Sequence, residues 1–130
     1  MAGLLALLAS AAQAARIGPW EVCRGAGPAV SGCRPLQGVM DPQGRELWLR
    51  APVGPRGPED AAPPLHLAGA MSTEAWFNGV RVGANGQPGP TPGRERPGRY
   101  QADIPLPAAL WRPDGNALVL RMSALHVGLR

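Results

Sequence analysis

The stretch Glu74–Gly83 reads EAWFNGVRVG, and its centre, Asn78-Gly79, constrains the fold more than any other feature of the chain. Ala75-Trp76-Phe77 precedes it and Val80-Arg81-Val82 follows, both with strand character. A two-residue reversal between strands needs positive φ at both central positions, and Asn-Gly tolerates that at least cost. The expectation is a β-hairpin, and a hairpin needs a sheet around it.

The rest of the chain is punctuated in the same manner. Gly and Pro number 18 and 16, and they fall between short alternating runs. ELWLRAPV (46–53) sets Leu47 and Leu49 against Trp48 and Arg50, and PLHLAGA (64–70) sets Leu65 and Leu67 against His66. RYQADIPLP (99–107) sets Tyr100, Ala102 and Ile104 against Gln101 and Asp103. ALVLRMSALHV (117–127) sets Leu118, Leu120 and Met122 against Val119, Arg121 and Ser123. Each reads as a half-buried strand. A short strand is expected around 19–22, and AALWRPDGNA (108–117) reads as one helical turn stopped by Pro113. Asp114-Gly115-Asn116 then turns the chain into its last strand. MDPQGREL (40–47) reads as a turn, and GPRGPEDAAPP (54–64) as a loop. An apolar content of 45% excludes a wholly disordered chain. The fold class is all-β, a sandwich.

A second Asn-Gly pair, Asn85-Gly86, opens ANGQPGPTPGRERPG (84–98), whose prolines and glycines forbid a strand interior. This is a long polar excursion, the kind of loop that hosts recognition.

At the N-terminus, MAGLLALLASAAQA (1–14) carries no charge and ends in Ala12-Gln13-Ala14, the small-x-small pattern read by a signal peptidase. Its apolar run is about a dozen residues, short of the roughly 20 a spanning helix needs. Nothing later is long and apolar enough to span. The division expected is a signal peptide at 1–14, an irregular segment with a disulfide loop at 15–45, and a sandwich at 46–130. Cys23 and Cys33 are the only cysteines, and in an exported chain such a pair reads as a disulfide. Their spacing fits neither a zinc nor a redox motif.

Charge and chemistry exclude several functions. The net charge is +4 and all 13 basic residues are arginine, but they are scattered. No RNP-like aromatic motif or basic helix accompanies them, so nucleic acid is not an expected partner. His66 and His126 are the only histidines, each opposite leucines on its strand. Among the nine acidic residues, Asp41, Glu46, Glu59, Asp60, Glu74, Glu95, Asp103 and Asp114 sit mostly in turns or at strand starts. No base stands beside a nucleophile, so the chain is not read as an enzyme. MDPQG and PDGN lack the acid spacing of a calcium loop, and neither metal nor cofactor is expected.

The order of LWLR, FNGVRVGANG and GRYQADIPLPAALWRPDGNALVLRM, from Glu46 to Ser123, resembles the galactose-binding-like jelly roll. More narrowly it resembles the sugar-binding-type domain of family 2 glycoside hydrolases. Most closely it resembles the exported N-terminal domains of bacterial membrane sensors, histidine kinases and diguanylate cyclases. The motifs that carry the likeness, Asn78-Gly79, Pro105, Pro107 and Asp114-Gly115-Asn116, are structural and not chemical. The resemblance implies a jelly-roll sandwich acting as a periplasmic, non-catalytic sensory domain for a small molecule or glycan. The alternatives are a carbohydrate-binding module of a secreted hydrolase and a structural dimerisation domain. Because a sensor would continue beyond Arg130, the sandwich is expected to be a fragment, incomplete at its C-terminus. It would then reach the membrane only through a missing segment and self-associate through an open edge.

Trp76, beside the long loop, is the candidate ligand platform, flanked by Arg81, Asn85, Arg94, Arg96 and Arg99. The competing expectation is that Trp48, Trp76 and Trp111 fill the core, since the chain has one Phe and one Tyr.

Overall fold

The computed structural model describes residues 17–25, 27–36, 45–55, 64–68 and 72–125. The leader at 1–14, the turn at 40–44, most of the 54–64 loop and His126 lie outside these residues.

The described chain is all-β. Its strands are β1 (Glu21–Cys23), β2 (Arg34–Pro35), β3 (Glu46–Val53), β4 (Leu65–Ala68), β5 (Ser72–Phe77), β6 (Val80–Asn85), β7 (Gln101–Ile104) and β8 (Asn116–Ser123). A single 3₁₀ turn, Ala108–Leu110, precedes β8. Six strands form one sheet in the order β2-β1-β3-β8-β5-β6, and β4 pairs with β7 in a second. Every described pairing is antiparallel. Leu49, Val53, Ala75, Phe77, Leu118, Leu120 and Met122 of the large sheet meet Leu65 and Ile104 of the small one, with Leu106 just after β7. This is a sandwich, and its core follows from period-2 alternation.

The last alternating run is the centre of the fold. β8 pairs with β3 along its whole length and with β5 from Leu118 to Ser123. Its carbonyls and amides are therefore used on both sides, which explains why Leu118, Val119, Leu120, Met122 and Ser123 are all buried. The edges of the large sheet are instead β2 and β6. β2 is two residues long and contains Pro35, which cannot donate to a further strand.

The hairpin forms at the expected position, with φ of 50° at Asn78 and 83° at Gly79. Asn78 does more than turn. Its Oδ1 accepts from the Ala117 amide at 2.8 Å, and its Nδ2 donates to Leu110 O at 2.7 Å and Asn116 Oδ1 at 2.9 Å. Asn116 in turn holds the backbone of Arg112 from both sides, at 2.8 and 3.0 Å. The two turns of the sequence reading, Asn78-Gly79 and Asp114-Gly115-Asn116, thus form one polar knot at the entry to β8.

Two readings need correction. The segment 15–45 is not a separate irregular piece, because its described part continues the large sheet. Ile17 bridges Val53, β1 pairs with β3 through Glu21↔Arg50, and β2 pairs with β1. β3 would otherwise present an unpaired edge, and the Cys23–Cys33 disulfide holds the chain that covers it. Tyr100 does not share a face with Ala102 and Ile104: it precedes β7 and is 68% exposed. The reason lies upstream, where the Asn85 side chain grips the Arg99 backbone, at 2.8 Å to both its N–H and its C=O. The chain therefore bends before β7 starts.

Candidate functional site

The face of the large sheet turned away from the core is unusually rich in large and charged side chains. Strand alternation puts Glu46, Trp48 and Arg50 of β3, Val119 and Arg121 of β8, and Glu74 and Trp76 of β5 there. The register sets Trp48, Arg121 and Glu74 in one row across the sheet and Arg50, Val119 and Trp76 in the next. Trp48 and Trp76 meet on the diagonal across β8, with ring centroids 5.3 Å apart and planes tilted by 30°. Val119, opposite Trp76 in the register, is only 7% exposed.

The expectation that three tryptophans fill the core holds for one of them. Trp111 packs on the core, edge-on to Phe77 at 4.9 Å, and donates its Nε1–H to Leu106 O at 3.1 Å. Trp48 and Trp76 are half-buried on the opposite face, because each alternates with residues that point inward: Leu47 and Leu49 for one, Ala75 and Phe77 for the other. An aromatic pair of this kind contributes about 0.5–1.5 kcal/mol beyond its buried area.

Charges surround the pair. Arg121 donates from Nη2 to Glu46 Oε2 at 2.8 Å, and its Nη1 lies 3.5 Å from Glu74 Oε1. Its guanidinium sits 6.0 Å from the Trp48 ring centroid. The hydrogen bond to Glu46 raises the Arg121 pKa above its ordinary value; burial opposes this, and the charges of Glu46 and Glu74 add to it. Its Nε, however, is buried with no hydrogen-bond acceptor.

Arg81 arrives on this face through a β-bulge. Ala75 pairs with Gly83 but Trp76 pairs with Arg81, leaving Val82 as the extra residue in β6. Regular pairing from Ala84 backwards would turn Arg81 toward the core. The bulge turns it outward instead, where its Nε donates to Glu74 Oε2 at 2.7 Å. Glu74 therefore bridges two arginines.

The 86–98 loop closes over one end of this face. Gly86, with φ of 71°, turns the chain out of β6, and a Cβ there would lie 2.4 Å from Arg96 O. Gln87 and Arg96 pair as an isolated bridge, with both hydrogen bonds at 2.8 Å. Glu95 turns inward and is 5% exposed, accepting from the Ser123 hydroxyl and from the Leu125 amide at 2.9 Å. Ser123 Oγ also accepts from the Gly89 amide at 3.1 Å, and Ser72 Oγ donates to Arg96 O at 2.6 Å. The loop is thus an ordered flap tied to the end of the central strand.

Beneath it are two recesses. One of about 380 Å³ is lined by loop residues, among them Arg94 and Arg96, and by Arg121 from β8. The other, of about 180 Å³, lies between Glu74, Arg81 and the start of the loop.

The structure thus brings three of the six candidates, Arg81, Arg94 and Arg96, to the recesses beside the loop. Trp76 shares the face with Arg81 but lies toward the hairpin, away from the Ser72–Ser123 end where the loop is tied. Asn85 and Arg99 are elsewhere engaged: Asn85 is 6% exposed and spends its amide on the Arg99 backbone. Trp48, Arg121 and Glu95 were not singled out as site residues. The signal for Trp48 was its position between two leucines, and for Glu95 its place as an acid between two arginines. His66 and Asp103 pair at 2.6 Å across the small sheet, exposed and remote in the topology from this face. Among the described residues no helix is long and apolar enough to cross a membrane, and the disulfide fits an oxidising compartment. Compared with family models, characterised proteins and solved structures, the chain matches none.

Proposed function

We propose that this chain is the exported, non-catalytic recognition domain of a bacterial membrane signalling protein, a sensor histidine kinase or diguanylate cyclase. In this reading the sandwich is a jelly roll of galactose-binding-like type, its compartment is the periplasm, and its ligand is a small molecule or glycan. The observation that carries the proposal is the Trp48–Trp76 pair, half-buried on a face the core does not use, with Arg121 over the Trp48 ring and also lining the recess beside the loop. Aromatic faces with polar side chains beside them hold sugars and other ring-bearing small molecules. Because β8 carries Arg121 on this face and the core on its other, occupancy here acts directly on the centre of the fold.

The test is a thermal-shift screen with glycans and metabolites, followed by titration of tryptophan fluorescence. A ligand of this face shifts the emission, and Trp48→Ala and Trp76→Ala weaken its binding while the fold is kept. In the parent protein the same ligand changes kinase or cyclase output. A ligand whose affinity ignores both tryptophans contradicts the assignment. The paired rings equally favour a carbohydrate-binding module of a secreted hydrolase, for which the ligand is a glycan and no signalling output exists.

A further inference from the structure

We infer that the recess under the 86–98 loop is an anion site, taking the carboxylate, sulfate or phosphate group of the ligand; this rests on the recognition reading above and narrows its ligand class. Arg94, Arg96 and Arg121 line the recess of about 380 Å³, and no acidic residue lines it. Glu95, the acid within the loop, points the other way, into its hydrogen bonds with Ser123 and Leu125. The turn closed by the Arg94 and Glu95 amides on Thr91 O leaves the Glu95 carboxylate anchored on Ser123 and Leu125 while Arg94 and Arg96 line the recess. Among the described residues neither Arg94 nor Arg96 has an acidic partner.

A second observation points the same way. Arg121 is held in place by Glu46 and Glu74, yet its Nε–H is buried without an acceptor. A buried donor of this kind costs free energy until an acceptor reaches it. An oxyanion that enters the recess supplies one once the Arg121 side chain, which lines it, shifts to expose that donor. Guanidinium groups suit this because their planar donors match carboxylate, sulfate and phosphate oxygens in pairs. With Trp48 under the Arg121 guanidinium and Trp76 on the neighbouring row, a ring carrying an acidic substituent spans the recess and the aromatic pair.

The probes are glucuronate, galacturonate, free sulfate and free phosphate, set against neutral glucose and galactose, measured by calorimetry on the disulfide-bonded chain. The expected result is saturable binding of one or more anions, weakened by rising salt. Arg94→Gln with Arg96→Gln lowers that affinity by on the order of tenfold or more per guanidinium, since each loses charge-assisted hydrogen bonds. Saturation by the sugar acids alone identifies a uronate-type ligand; saturation by the free ions identifies a site for the anionic group itself. The inference is overturned if no anion binds, if neutral sugars bind as tightly as their acids, or if the double variant, unfolding at the wild-type temperature, binds unchanged. Tight binding of a neutral sugar that Trp76→Ala abolishes leaves the recognition reading standing and removes only the anion site. The salt dependence needs no variant, so a double variant that fails to fold still leaves a deciding measurement.

Discussion

Replacing Asn78 by Ala removes the side chain on which the hairpin, the 3₁₀ turn and the start of β8 converge. Three side-chain hydrogen bonds are lost, to Ala117 N–H, Leu110 O and Asn116 Oδ1. At about 1 kcal/mol net for each, this amounts to about 3 kcal/mol. The backbone adds to it: Asn78 has a φ of 50°, and an alanine held there costs about 1 kcal/mol or more. The total of about 4 kcal/mol is a large share of the 5–15 kcal/mol that stabilises a typical domain. For a chain of this size it lowers the melting temperature by roughly 15 °C. Asn78→Gly separates the terms, since glycine keeps the left-handed turn and loses only the hydrogen bonds, about 3 kcal/mol. Asn78→Asp keeps the acceptor for Ala117 but sets a carboxylate oxygen against Leu110 O and Asn116 Oδ1, so it destabilises more than its small change in shape implies. Urea denaturation monitored by circular dichroism measures all three. If Asn78→Ala lies within about 0.5 kcal/mol of wild type, within the range of an ordinary surface substitution, the polar knot does not hold these turns together and the reasoning fails.

Other consequences can be read on the same scale. Gly86→Ala places a Cβ 2.4 Å from Arg96 O and 2.6 Å from Gly98 N; it costs about 2–4 kcal/mol and strips hydrogen-exchange protection from the Gln87 and Arg96 amides. Glu95→Ala removes the acceptor shared by Ser123 and Leu125, costing about 2–3 kcal/mol and making the 86–98 loop a site of proteolytic cleavage. Reduction of Cys23–Cys33 frees a loop of sequence separation 10, removes roughly 2–3 kcal/mol, and loosens β1 and β2 while β3, β8 and β5 stay protected in hydrogen exchange.

Much of this fold was legible in the sequence because its strands alternate cleanly. ELWLRAPV became β3 at the expected residues, with Leu47, Leu49, Ala51 and Val53 buried on one face. Asn78-Gly79 turned where it had to, and Gly115, with φ of 69°, turned the chain into the central strand. What could not be read was contact between distant segments. Asn78 and Asn116 each carry a turn signal, but their hydrogen bond across 38 residues depends on the sheet order. The strands at 21–23 and 34–35 are too short to show alternation, and they form because β3 offers an edge and a disulfide holds them there. The candidate face was half visible. The alternation that sends Leu47 and Leu49 inward also sends Trp48 outward, and a count of large rings alone hides this. Arg81 reaches the same face only because of a bulge that no residue pattern in VRVGAN announces.

On the recognition reading, ligand binds on the Trp48–Trp76 face and the loop at its end. Mapping backbone amide shifts by nuclear magnetic resonance, while titrating a ligand selected in the thermal-shift screen, tests it most directly. The account predicts saturable shifts concentrated in Glu74–Trp76 of β5, Val119–Arg121 of β8 and the 87–96 loop, together with the indole signals of Trp48 and Trp76. Shifts concentrated instead on the β4–β7 sheet, around Leu65–Ala68 and Gln101–Ile104, would contradict it.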